Sequence, residues 1–209
     1  MRRKASRERR ASGSRYDRGV PTLAELARDA SSCTRCPLAV GRTNVVFGAG
    51  DPDADVLFVG EGPGAEEDLR GLPFVGRSGQ LLDRLMLEEM GLSRARGVYI
   101  ANVVMCRPPG NRNPEPPEIA ACRPWLDAKV AQIRPRVIVT LGNFATQLLL
   151  ETTSGIKSLR GRVYPHASGA VVVPTYHPSF VLRSGGAGAA AAEMRADLVR
   201  AKEQVVVAA

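Results

Sequence analysis

Four cysteines are the first residues in this sequence whose spacing suggests chemistry: Cys33, Cys36, Cys106 and Cys122. Cys33-x-x-Cys36 is a short knuckle that can place two thiolates on one metal or cluster. Cys106 and Cys122 follow at a distance, with fifteen residues between them. The chain carries no secretory character, so a disulfide framework is disfavoured. Structural zinc usually takes two short knuckles, and only one is present here. Four thiolates also suit a [4Fe–4S] cluster. The spacing favours a metal centre and leaves zinc and iron–sulfur open. Three other features carry polar chemistry in apolar surroundings. Glu61 lies in the run GEGPG. Asn102 interrupts the apolar stretch VYIANVV, where an unpaired amide would be costly to bury. His177 lies in YHPSF and is one of only two histidines; the other, His166, reads as a surface or strand-end residue.

The elements that must position these residues follow from hydrophobic pattern and turn signals. TLAELARDAS, 22–31, reads as a short amphipathic helix, with Thr22 and Glu25 at capping-box spacing. Buried strands are predicted at 55–59, 98–104, 137–141 and 171–175, with a short strand near 162–164. Helices are predicted at 79–90 (ending at Gly91), about 118–133, from Gly142 through NFATQLLLE, and at 193–205, the last preceded by a low-complexity loop, GGAGAAAA. RPPGNRNPEPP, 107–117, reads as a proline-rich loop. Strands alternating with helices imply a mostly parallel sheet covered on both faces. Ligands bind such sheets at the carboxyl ends of the strands. Gly60–Gly64, Asn102 and His177 all fall at such ends, which points to one site.

Composition bounds the rest. The chain has 209 residues, 44% hydrophobic and 24% charged, enough for one sizeable α/β domain. No apolar run approaches the ~20 residues of a membrane helix, and no secretory signal is recognisable. The formal charge is +8, but residues 1–20 hold eight Lys or Arg and two acids, a net of +6, leaving +2 for the remainder. Basicity is therefore concentrated in the tail. That segment reads as a disordered arm able to meet a polyanion, with a transit peptide as the alternative. Residues 21–209 read as a single domain.

GLPFVGRS, 71–78, differs from a P-loop only in having Arg77 where the lysine belongs. Eleven residues separate it from the preceding strand, and they include Glu61, Glu66, Glu67 and Asp68. Those carboxylates would repel a triphosphate, and the arginine fork is not a compact ammonium. A nucleotide-hydrolase site is disfavoured. GEGPG is a poor dinucleotide cradle for the same reason.

Taken together, the motifs resemble a family-4 uracil-DNA glycosylase. The segments are the C-x-x-C at 33–36, GEGPGAEEDLRGLPFVGRSGQLLD at 60–83, ANVVMCRPPGNRNPEP at 101–116, CRPWL at 122–126, LGNFA at 141–145 and YHPSF at 176–180. The resemblance runs from about residue 23 to residue 205. It implies a three-layer α/β/α sandwich with a central four-stranded parallel sheet. It also implies a structural [4Fe–4S] cluster on Cys33, Cys36, Cys106 and Cys122. The expected partner is uracil-containing DNA, single- or double-stranded, met by a monomer in the bacterial or archaeal cytoplasm, with no membrane involved. The expected activity is base-excision repair: uracil is flipped from DNA and its N-glycosidic bond hydrolysed, leaving an abasic site.

Residue roles follow from the resemblance and from the chemistry. A base in a duplex must be flipped into a pocket, and Phe74 is the aromatic available as a stacking platform. Uracil differs from cytosine at N3–H and O4. An amide can accept from the first and donate to the second, which gives Asn102 the reading role. His177 matches the family histidine that stabilises the leaving uracil anion at O2. Family-1 relatives carry an aspartate at the position of Gly62, so the usual base is absent here. Gly62 is then a substrate-binding position, and Glu61 is the candidate to position water or stabilise the cationic sugar, with Glu67 and Asp68 behind it. Val181 and Leu182 are candidate wedges into the vacated stack. Ser179 and Arg183 are candidates to grip phosphates, as are Arg77 and Ser78.

Two other function classes compete. One is a uracil-DNA binding protein that traps DNA covalently. Such relatives carry an inserted Arg-Arg-Ile-His loop and a histidine in place of a cluster cysteine, whereas this chain has GNRNP and Cys106. The other is a non-enzymatic, metal-containing DNA-binding module.

Overall fold

A computed structural model describes residues 21–207. The expected basic arm, 1–20, lies outside the described residues. In chain order the elements are α1 (Leu23–Ser31), α2 (Leu38–Gly41), β1 (Ala49–Gly50), β2 (Val56–Gly60), α3 (Ala65–Arg70), α4 (Arg77–Leu85), β3 (Val98–Asn102), α5 (Pro116–Ile133), β4 (Val137–Leu141), α6 (Asn143–Leu150), α7 (Ile156–Leu159), β5 (Tyr164–Pro165), β6 (Val171–Thr175), α8 (Pro178–Arg183) and α9 (Ala189–Val207).

One sheet runs in the order β1-β3-β2-β4-β6-β5. Its four central strands are parallel, and two-residue antiparallel strands close each edge. The expected four-stranded parallel core is present, and the edge pairs extend it to six strands. Residues alternate between the two faces of each strand. Leu57, Val59, Tyr99, Ala101 and Ile138 pack with Leu26 of α1 and with Trp125, Leu126 and Val130 of α5. Val56, Phe58, Ile100 and Val139 pack with Leu82 and Leu85 of α4 and with Met194 and Leu198 of α9. Burial on both faces explains why these strands read as unbroken apolar runs.

Chain order reverses at β2, because β3 lies on one side of it and β4 on the other. In open α/β sheets the crevice at such a reversal is the usual ligand site. Gly60, Asn102, Leu141 and Thr175 are the carboxyl ends of the four parallel strands, so the topology brings the predicted site residues to one edge.

Several boundaries differ from expectation. The stretch 79–90 starts earlier, at Arg77, and continues past Leu85 as a π-turn over Met86–Met90, which Gly91 ends at φ 68°. The final helix starts at Ala189 rather than 193, so the alanine run is helix and only the glycines before it are loop. The acidic residues after GEGPG form the short helix α3, capped by the Glu67 side chain. The 22–31 helix carries the predicted capping box between Thr22 and Glu25.

Candidate active site and cysteine centre

A cavity of about 650 Å³ opens at the carboxyl ends of β2 and β3, with Glu61, Phe74, Asn102 and His177 in its wall. Gly60 makes it possible. A Cβ there would come within 2.5 Å of Asn102 Oδ1 and 2.7 Å of Phe74 Cζ. The Phe74 ring and the Asn102 amide therefore meet across a backbone with no side chain of its own. Phe74 is buried and holds a left-handed backbone, φ 53°, rare for a residue with a Cβ. Its ring centroid lies 5.6 Å from that of His177. Asn102 is 1% exposed, and its Oδ1 has no hydrogen-bond partner among the described residues. Buried polar atoms are nearly always paired, so an orphaned acceptor calls for an explanation.

His177 caps the N-terminus of α8. Its Nδ1 accepts the backbone N–H of Ser179 at 3.1 Å and lies 2.8 Å from the Ser179 hydroxyl. A nitrogen that accepts a backbone N–H carries no proton, so in the neutral ring the proton is on Nε2. Burial, helped by the positive charge of Arg183 and opposed by Glu67, draws the imidazole down to about 4. The ring is thus a neutral N–H donor across the physiological range. Glu61 is half-buried, and burial raises its carboxyl above the ordinary value. Gly62 has no room for a side chain, since a Cβ would meet Val104 Cγ2 at 2.8 Å.

Glu67, Arg77, Ser78, Ser179 and Arg183 line the same cavity, while Asp68 and Val181 do not. Glu67 accepts the backbone N–H groups of Gly64, Val75 and Gly76 at 3.2, 2.9 and 3.1 Å. It ties the GEGPG turn to the Phe74 loop while lining the same cavity. It also fills the start of α4 with an internal carboxylate, where a P-loop would leave the amides free for phosphate. Asp68 is 4% exposed and accepts from the backbone of Thr43 and Asn44, away from the cleft. Val181 is fully buried between the sheet and its helices. That burial speaks against the expected wedge role of Val181, whereas Leu182 is only partly buried beside exposed Arg183. Ser179 orients the histidine, a role that its position in HPSF did not by itself reveal. Arg77 is exposed at the first turn of α4, with Ser78 half-buried next to it.

The four cysteines belong to the apolar cluster between the sheet and α1 and α5. Cys33 and Cys36 pack, partly buried, against the apolar cluster that contains Cys106 and Cys122. Arg42 joins the knuckle to the end of β3, donating to the Cys33 carbonyl at 2.6 Å and contacting Cys106 Sγ at 3.5 Å. Burial raises the Cys106 thiol and pushes Cys122 up to about 11, with the neighbouring cysteines acting in the same direction. Among the described residues, no three His, Cys, Asp or Glu side chains close to the spacing of a single-ion site. Beside them Lys129 is fully buried, with its Nζ 4.2 Å over the Phe47 ring and without a hydrogen-bond partner among the described residues. Burial draws this ammonium down to about 8, and the Cys122 thiolate opposes the shift. Nothing in the sequence pattern marks this cation, because lysine in an apolar helix usually snorkels to water.

Residues 47–200 match the family model described as the Uracil DNA glycosylase superfamily. The chain is similar to a "Type-4 uracil-DNA glycosylase" of Thermotoga maritima, 50% identical over 73% of this chain and 79% of that protein. It is 44% identical to a protein of the same description from Sulfurisphaera tokodaii, over 78% of this chain and 77% of the relative. A third such protein, from Archaeoglobus fulgidus, is 44% identical over 78% of this chain and 84% of the relative.

Proposed function

The chain belongs to the uracil DNA glycosylase superfamily, and on that premise we propose that its cleft stacks a flipped uracil on Phe74, reads it with Asn102 and assists its departure with His177. The protein is a DNA-repair hydrolase that removes uracil from DNA. Its partner is uracil-containing DNA. The residue roles are our own reading.

The observation that carries these roles is the Asn102 carbonyl oxygen, buried and unpartnered next to the Phe74 ring. Uracil N3–H is a donor that would satisfy it, and the amide N–H would donate to O4. Cytosine offers an acceptor and a donor in those places, leaving both ends of the amide mismatched. The cavity has room for a base together with its sugar.

Hydrolysis breaks the bond between C1′ and N1. Its electron pair leaves with uracil and spreads onto O2 and O4, while C1′ becomes cationic. The Nε2–H of neutral His177 would donate to O2, a preorganised donor of the kind that stabilises a developing anion. Nδ1 is held by Ser179, so the ring needs no reorientation. Glu61 would lie near the cationic sugar and hold the water whose oxygen bonds to C1′. One water proton then passes to solvent or to the departing base. Leu182 would fill the vacated stack, while Arg183, Ser179, Arg77 and Ser78 would meet phosphates.

We infer that the four cysteines hold a [4Fe–4S] cluster, because all four lie in one apolar cluster beside the buried Lys129 and four thiolates suit such a group. On its four thiolates it carries net negative charge, which would compensate the unpartnered Lys129 ammonium. The cluster would join α1, the end of β3 and α5 as a structural staple. We also read the protein as a monomer of the cytoplasm, a state that size-exclusion chromatography with and without DNA would check. No helix among the described residues is long and apolar enough to cross a membrane.

The test is incubation with an oligonucleotide carrying one uracil. Release of free uracil and an alkali-labile abasic site is the expected outcome. A denaturant-stable protein–DNA adduct would indicate a trap, and unchanged DNA a binding module.

A further inference from the structure

Phe74 is held in a backbone conformation that L-residues avoid, so something outside its own loop must impose it. Arg94, in the turn before β3, reaches back across about twenty residues of sequence to do this. Its Nη1 donates to the Pro73 carbonyl at 2.6 Å and its Nη2 to the Phe74 carbonyl at 2.5 Å. Its Nε is bonded to Asp83 Oδ1 at 2.8 Å, which fixes the plane of the fork. Successive carbonyls of an extended chain point to opposite sides. These two converge on one guanidinium, because the chain turns left-handed between the start and the end of Phe74. Lysine could not reproduce this, since it offers a point charge rather than a planar pair of donors.

The clamp has two further jaws. Glu67 takes the N–H groups of Val75 and Gly76, immediately after Phe74. Gly79 lets α4 press against the same carbonyl, where a Cβ would fall 1.7 Å from Phe74 O. The peptide groups around Phe74 are thus gripped by a cation on their carbonyl side and an anion on their amide side.

We propose that Arg94 is a positioning residue for base recognition: it fixes the left-handed backbone that aims the Phe74 ring into the uracil cavity, and acts on the reaction only through that ring. The inference rests on the uracil pocket proposed above. Arg94 touches neither substrate nor the reacting atoms in this account. Its loss should therefore weaken recognition of the flipped base and leave DNA backbone binding alone.

The experiment measures binding of two oligonucleotides, one carrying a cleavage-resistant 2′-fluoro-deoxyuridine and one a thymidine at the same place, along with the single-turnover cleavage rate. In Arg94→Ala the uracil-over-thymine binding ratio should fall at least about tenfold, and the cleavage rate by a similar factor, with affinity for the thymine oligonucleotide within about threefold of wild type. Asp83→Asn, which removes the ion pair but not the carbonyl contacts, should keep most of the ratio. Arg94→Lys should restore little of it. If Arg94→Ala does not fold, Gly79→Ala decides, because it displaces the same carbonyl while leaving Arg94 in place, and it should lose the ratio as well. A wild-type ratio in folded Arg94→Ala, or in Gly79→Ala where that variant decides, overturns the proposal. Wild-type protein that binds the two oligonucleotides equally and does not cleave an ordinary deoxyuridine oligonucleotide would instead sink the uracil-pocket reading itself.

Discussion

Ser179 donates its backbone N–H to His177 Nδ1, and that bond decides which nitrogen faces the cleft. A histidine drawn down to about 4 stays neutral through the whole working range. Its protonation therefore should not appear as an acid limb near pH 6.5. Glu61 titrates above its ordinary value of 4.5 because of burial. If its carboxylate is the working form, the rate must fall as pH drops through that raised value. Single-turnover rates against pH should show this limb in wild type, and Glu61→Gln should flatten it. A limb near 6.5 that survives in Glu61→Gln would mean the histidine titrates. His177→Ala should lose about a hundredfold to a thousandfold in rate while the fold persists. Circular dichroism and cleavage kinetics on the same sample would check this.

At the scale of elements, the cleft depends on where strands stop. Asn102 reads as a polar intruder in an apolar strand, and the strand in fact ends on it, so the amide sits at the mouth of the sheet. Gly60 ends the adjacent strand in register with it. Gly60→Ala would drive a methyl between Asn102 and Phe74, so kcat/KM should fall about a hundredfold or more, with a smaller effect on melting temperature. Intact kinetics in that variant would show that the base does not lie there. The parallel core and the carboxyl-end site were legible in the sequence because two-sided burial writes uninterrupted apolar runs. The edge strands were not, since two residues carry no pattern. Nor was the burial of Val181: HPSFVLR carries no clear element signal, and its helix turns one side chain inward and leaves Leu182 partly outside. Glu67 looked like a candidate base because sequence counts carboxylates but not the amides they face.

Across the whole molecule, the site and the cysteine centre lie on separate parts of one fold, linked by the end of β3, where Asn102 and Cys106 are four residues apart. Loss of a cluster ligand should therefore act first on stability. Cys122→Ser should lose iron, sulfide and brown colour, with a lower melting temperature. Retained iron content would remove Cys122 from the ligand set. The arm at 1–20 carries six of the eight net positive charges. Deleting it should weaken DNA binding at low salt and flatten the dependence of affinity on salt, without abolishing cleavage. The proposed reading turns on whether the buried Asn102 amide, whose Oδ1 has no partner among the described residues, selects uracil. The most direct measurement is the single-turnover release of free uracil from a uracil-containing oligonucleotide by wild type and by Asn102→Ala at saturating enzyme. The account predicts rapid release by wild type and a loss of about a hundredfold or more in the variant. Equal release by a folded variant would contradict it.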